Sequence, residues 1–179
     1  MSSPRHVSRR RGLAALVAAF FAFTIALPAT AATTATITIT GGALVITAPT
    51  GTVSLGSLVN TVGGGTVSGP LGQVQVSDAR SAAAGSGWVA SVISSAFTPP
   101  AGPAIAASAV SYTAGTITKV GTATYTANNP GDLTGVGAAV TATGITGDNS
   151  ATWDPTISVA VPGGMAAGVY SATITHSVL

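Results

Sequence analysis

Cysteine and glutamate are absent from this chain of 179 residues, and charge of either sign is scarce: six basic and four acidic side chains, 6% of the sequence. Without cysteine there are no disulfides, no thiolate nucleophile or ligand, and no amino-terminal cysteine to carry a lipid. Stability must come from burial and backbone pairing. Aromatic residues are only 5%, so the two tryptophans, Trp88 and Trp153, weigh heavily in any core or binding surface. Histidine is nearly missing as well, and beyond the amino-terminal region only His176 remains. Long apolar runs are missing with one exception, residues 13–27, interrupted only by Thr24.

That run reads as the centre of a secretory signal peptide covering residues 1–32. Arg5, Arg9, Arg10 and Arg11 precede it, and Ala29-Thr30-Ala31 follows as a small-x-small cleavage site. Cleavage is expected after Ala31 or Ala32. The run is fifteen residues long, whereas a bilayer span takes about 20, so no permanent membrane span is expected after cleavage. Ser8-Arg9-Arg10 followed by Arg11-Gly12-Leu13 has a loose twin-arginine look, which leaves the export route open. Four of the six basic residues sit in this segment and no acidic one does. Residues 33–179 keep Arg80 and Lys119 against Asp78, Asp132, Asp148 and Asp154, so two positive and four negative groups give a formal charge of −2. The alkaline pI of about 9.5 therefore belongs to the targeting segment. No basic patch remains to grip a phosphate backbone, which excludes nucleic acid as a partner. Leu27-Pro28-Ala29-Thr30-Ala31 has a superficial likeness to a sortase signal but stands at the wrong end, and Leu179 is not preceded by an apolar tail and basic stop. Any attachment to the cell is expected to be non-covalent.

What the remaining sequence does have is threonine, valine, alanine and glycine in strand and turn patterns. Val, Ile, Leu and Ala recur throughout, which argues against disorder, and about 147 residues suffice for one domain with one core. Helical spacing is missing, so the expectation is an all-β fold, a single β-sandwich domain of mostly antiparallel strands over 33–179. Strand patterns fall at 36–40, 43–47, 73–78, 88–93, 110–112, 116–120, 122–125, 138–143, 156–161 and 169–178. Gly41-Gly42, Gly63-Gly64-Gly65, Pro99-Pro100, Asn128-Asn129-Pro130-Gly131-Asp132, Gly147-Asp148-Asn149 and Pro162-Gly163-Gly164 punctuate them as turns. The alanine-rich stretches 81–85 and 101–109 have room for a helical turn at most. About seven residues are expected between 161 and the last strand. In that last strand Tyr170, Ala172, Ile174, His176 and Val178 share one phase, and small hydroxyl residues hold the other from Ser171 onward, so His176 points to the core face.

Catalysis needs converging titratable groups, and one histidine, four aspartates, one lysine and one arginine are a thin supply. No serine has glycine two positions before and after it, and no glycine cluster matches a phosphate loop or dinucleotide fingerprint. A lone histidine cannot build a zinc site. Asp148, Asn149 and Asp154 offer oxygens to a calcium ion, but aspartate and asparagine are what turns use in any case. No cofactor, no metal and no enzymatic activity are expected. Asp78 and Arg80, two apart in a strand, share a face and are expected either to form an exposed ion pair, worth about 0–1 kcal/mol, or to tie down the following loop, a structural role in both cases. Trp88 and Trp153 each stand at the start of a strand, where an indole is more often a core anchor than a sugar-stacking platform. His176 reads as a neutral, hydrogen-bonded core residue rather than a base, since no acidic partner is visible.

Four stretches carry a family resemblance. Pro70-Leu71-Gly72-Gln73 runs on to Asp78-Ala79-Arg80; Gly87-Trp88-Val89-Ala90-Ser91-Val92 follows; then Trp153-Asp154-Pro155-Thr156-Ile157-Ser158-Val159; and finally Ala167-Gly168-Val169-Tyr170 leading to Thr175-His176-Ser177-Val178. Together they resemble the WxL surface domain of Gram-positive bacteria over essentially all of 33–179, in the manner of divergent, actinobacterial-type members. Of the family's two Trp-x-Leu motifs, the first stands here as Trp88-Val89-Ala90, with Ala90 at the leucine. The second stands as His176-Ser177-Val178, with His176 at the tryptophan and Val178 at the leucine. The resemblance implies a secreted protein held non-covalently at the cell wall or cell surface, with peptidoglycan as ligand. Trp88, Ala90, Trp153, His176 and Val178 are the positions on which such binding, or merely the motif, would rest. The other reading is a structural or assembly subunit of a cell-surface complex, whose charge-poor strands engage other surface proteins rather than glycan.

Overall fold

The computed structural model describes residues 34–179; the expected signal peptide at 1–32 lies outside them. Eight strands make up the fold: β1 (Leu44–Thr47), β2 (Gly65–Pro70), β3 (Val74–Ser94), β4 (Val110–Thr113), β5 (Ile117–Ala127), β6 (Gly137–Trp153), β7 (Thr156–Val161) and β8 (Ile174–Val178), with one 3-10 turn at Ala107–Ala109. All pairings are antiparallel. One sheet runs β1-β3-β6-β5, with β8 on the same edge of β3 as β1, and the other runs β2-β7-β4. The two form a nearly closed, barrel-like sandwich. Residues Thr38–Leu179 constitute one compact unit. Among the described residues no helix is long and apolar enough to cross a membrane.

Alternation explains which faces meet. In β7, Ile157 and Val159 are buried between outward Thr156 and Ser158, and in β3 Val74, Val76 and Asp78 face inward while Gln75 and Ser77 face out. Fully burying each valine or isoleucine contributes roughly 1.5–3 kcal/mol. The sheets are joined at one end by three short crossings, β2 to β3, β4 to β5 and β6 to β7. Pro155, which has no N–H to lose, occupies the last of these, and its carbonyl accepts from Leu71 N at 2.8 Å. Gly72 turns the first crossing with φ +96°, and a Cβ there would meet Pro49 at 2.9 Å.

The strands differ from the sequence expectation in number and length. Two expected strands, 73–78 and 88–93, are one strand of 21 residues. The alanine-rich stretch between them is pleated rather than helical, because β3 is paired with β6 on both sides of it and absorbs the excess through register shifts. Ser81 (φ 52°) and Gly85 (φ +90°) take up the left-handed conformations those shifts require. In the same way 116–120 and 122–125 merge into β5, and the expected turn at Gly147-Asp148-Asn149 lies within β6. β2 was masked by its glycines and proline. Gly69 is required there, since a Cβ would come within 2.8 Å of the Leu55 backbone. The last strand begins only at Ile174, so its connection from Val161 is longer than seven residues; Ser171 makes just an isolated bridge to Thr98. Residues 36–40 pair with no strand among the described residues.

Candidate functional site

The two tryptophans are buried, so neither indole is available to stack on a sugar, and each must instead satisfy its N–H inside the protein. Trp88, on β3, donates to Asn149 Oδ1 at 3.0 Å. Tyr125 on β5 donates its hydroxyl to the same oxygen at 3.2 Å, its ring tilted against the indole at 5.7 Å. Asn149 Nδ2 in turn donates to Asp78 Oδ2 at 3.2 Å. Asp78 is 1% exposed, which corrects the expectation of an exposed pair with Arg80. The guanidinium meets the carboxylate in a fork, Nε to Oδ1 at 2.8 Å and Nη2 to Oδ2 at 2.9 Å, while the Arg80 backbone N–H adds a third bond to Oδ1 at 3.1 Å. The Arg80 side chain, 37% exposed, carries the far end of the pair to solvent. The fork holds the Asp78 carboxyl down at about 2, its buried position working the other way.

Trp153, at the end of β6, solves the same problem without charge. Its Nε1 donates to Tyr112 Oη at 2.7 Å, and that hydroxyl lies 3.3 Å from His176 Nε2. With an indole donating to the phenol oxygen, the phenol's own hydrogen is free to point at Nε2, which assigns His176 as neutral with its hydrogen on Nδ1. Burial drives the Tyr112 hydroxyl well above the usual phenol range and pulls the His176 ring down to about 4. His176 is half-buried and faces inward in β8, as its phase with Ile174 and Val178 predicts. No buried side-chain polar atom among the described residues is left without a partner.

β3 and β8 also bring the two motif segments together. Ala90 stands directly across from Val178, and Val92 from His176. Ala90 is buried and Val178 packs against the same core, so these positions serve packing between neighbouring strands. Asp148 and Asn149, adjacent in sequence, part company: Asn149 is buried, whereas Asp148 is exposed and accepts from Ser81 N at 3.0 Å and Ser81 Oγ at 3.2 Å. Asp154 is exposed in the β6–β7 crossing. Among the described residues no three metal-ligating side chains cluster.

Among the described residues, the surfaces that a ligand or partner can reach include the outer face of the second sheet, where Ser68, Ser158 and Ser111 lie in one row, and two more. The outer face of the first sheet carries hydroxyl and amide side chains in cross-strand rows, with exposed Val45 and Val120 at the two ends of the row through Ser77 and Ser150. Thr47, Gln75, Thr152 and Thr118 lie in one row across β1, β3, β6 and β5, with Gln75 Nε2 donating to Thr152 Oγ1 at 3.2 Å. Thr124 pairs with Thr143 and Thr126 with Thr141 farther along, and Asn128 Nδ2 donates to Thr141 Oγ1 at 2.8 Å. None of these side chains is charged. The third surface is a cleft of about 930 Å³ between the sheets on the β2/β8 side, roofed by residues 48–60 and 165–173, with His176 in its wall. Local sequence reading missed this cleft, because its walls come from segments that look like plain turns.

No family model matches the chain, and neither a curated protein nor a solved structure matches it.

Proposed function

We propose that this is a secreted, non-enzymatic protein that associates non-covalently with the bacterial cell wall, with the uncharged hydroxyl face of the first sheet as its contact to peptidoglycan glycan. The observation that carries this reading is the row Thr47, Gln75, Thr152 and Thr118, together with its neighbours on β5 and β6. A broad pleated face of hydroxyls meets a polysaccharide through many bonds of about 0.5–1.5 kcal/mol each, none of them decisive alone. The export signal in the sequence and the likeness to WxL domains support the location. The non-enzymatic reading rests on His176, whose Nε2 is engaged by Tyr112 and which has no carboxylate beside it to raise its basicity.

Co-sedimentation of the purified mature chain with insoluble cell-wall sacculi tests the reading. The wild-type protein is expected in the pellet, and Thr47→Ala/Gln75→Ala/Thr118→Ala, three exposed positions, is expected to shift it toward the supernatant without a change in circular dichroism. Wild-type protein wholly in the supernatant sinks the proposal.

A further inference from the structure

The cleft between the sheets has apolar walls and a partly hydroxylated roof. Phe97, Ile105, Val159, Val161, Met165 and Ile174 stand in its walls, and no Asp, Lys or Arg lines it. Its volume of about 930 Å³ lies within the range of small-molecule sites, roughly 300–1,000 Å³. The roof spends its amide and phenol groups on itself: Asn60 Nδ2 donates to the Met165 carbonyl at 2.6 Å, and Tyr170 Oη to the Ala166 carbonyl at 2.9 Å. The hydroxyls of Thr52, Ser54 and Ser57 belong to exposed roof residues.

One polar atom in the wall is uncommitted. His176 meets Tyr112 through Nε2, and its Nδ1 has no partner among the described residues. No enclosed polar atom there lacks a partner, so Nδ1 opens on the cleft that its ring helps to line. Since Nε2 accepts from Tyr112, Nδ1 carries a hydrogen and is a donor without an acceptor. Of the inward residues of β8, Ile174 and His176 line the cleft and Val178 does not, which puts this donor at its inner end.

We propose that the cleft binds one neutral molecule with a hydrocarbon chain, whose terminal carbonyl or hydroxyl oxygen accepts the hydrogen bond from His176 Nδ1. Charge decides the class. A carboxylate would enter a space with no cation, and the His176 ring, pulled down to about 4 by burial, supplies none at neutral pH. A pure hydrocarbon would leave the imidazole donor dry and unpaired. An ester, ketone or alcohol on an alkyl chain meets both demands. Entry needs only the strap 49–58 to yield. It lies along β2 by packing, Leu55 over Gly69 and Leu58 over Gly65, and no backbone hydrogen bond ties it there among the described residues. Val53, Leu58 and Val169, exposed residues of the lining, give an apolar path inward. The cleft shares no residue with the row proposed for glycan, so either reading can fail without the other.

Displacement of the uncharged fluorophore N-phenylnaphthylamine from the mature chain at pH 7 tests the proposal. Methyl decanoate and decanol are expected to displace it at one molecule per chain. Decanoate is expected to bind at least roughly tenfold more weakly than the ester, and decane roughly fivefold more weakly. Ala172→Trp, which sends an indole into the cleft from a half-buried position in its lining, is expected to abolish this binding with unchanged circular dichroism. His176→Phe keeps the bulk of the ring and removes the donor, and it is expected to bind methyl decanoate no better than decane. A wild type that takes up neither fluorophore nor ester, decanoate that binds as tightly as the ester, or a His176→Phe chain that keeps the preference for the ester overturns the proposal. So does a folded Ala172→Trp chain that binds as the wild type does.

Discussion

Trp88 and Trp153 set the same task, an indole N–H to be satisfied in a dry core, and the surroundings answer it in opposite ways. Around Trp88 the acceptor is Asn149, held by a buried carboxylate that is in turn neutralised by Arg80 reaching in from solvent. Around Trp153 the acceptor is a phenol backed by a neutral imidazole. The first cluster carries net ionic interactions and depends on every member, because removing one leaves a charge or donor unpaired at low dielectric. The second contains no ion and ends at the cleft, where a lost partner can be replaced by water.

The sharpest break of that contrast is Asn149→Ala, which orphans Trp88 Nε1 and removes a donor from Asp78, while the Tyr125 hydroxyl keeps the Ser150 carbonyl at 3.4 Å. A loss of about 2–4 kcal/mol is expected in urea unfolding, since an unsatisfied buried group costs roughly 1–3 kcal/mol. Arg80→Ala is expected to cost less, about 2 kcal/mol, because the partly exposed guanidinium leaves Asp78 some access to water. The same variant tests a pH effect. The Asp78 carboxyl is held at about 2 against 3.8 for the free group, so its contribution is fully present above pH 3.8 and is lost as pH falls toward 2. In Arg80→Ala that acid leg of the stability curve flattens.

Tyr112→Phe, the matching cut in the neutral cluster, leaves Trp153 Nε1 without its acceptor and is expected to cost about 1–2 kcal/mol. His176→Phe is the mildest, within about 1 kcal/mol at pH 7. Its signature is again in the pH profile. The folded ring titrates near 4 and the free one near 6.5, so between those values the unfolded chain binds the extra proton and the wild type loses stability as pH drops from 6.5 to 4. His176→Phe removes that slope and leaves the Asp78 leg in place. Equal losses for Asn149→Ala and Tyr112→Phe would dissolve the distinction between the clusters.

Much of this architecture is visible in local pattern, and the exceptions have physical causes. β7 coincides with the expected strand 156–161 because its alternation is uninterrupted and Pro155 marks its start. The phase of His176 could be read because Ile174 and Val178 flank it in the same register. The long β3 could not, because alanine and glycine at 81–85 carry no apolar alternation and their pleating is imposed by β6. Nor could the role of Asn149 or Tyr112 be read: they stand 61 and 41 positions from the indoles they serve, and no neighbouring residue announces them. Residues 36–40 alternate Thr and Ile without interruption and yet make no pair among the described residues, which shows that pattern specifies a willingness to pair and leaves the partner open.

The central pairing of β3 with β6 has a kinetic consequence. Its contacts join residues as far apart as Val74 and Trp153, 79 positions, and the Asp78–Asn149 bond closes a loop of 71. The ordering entropy of such loops must be met before the core rewards it, which puts this chain among slow folders, in the range of milliseconds to seconds. On the proposed reading of a secreted chain, export as an extended thread would turn that delay into an asset: the strands would stay apart long enough to pass through a narrow channel, and the sandwich would assemble on the far side.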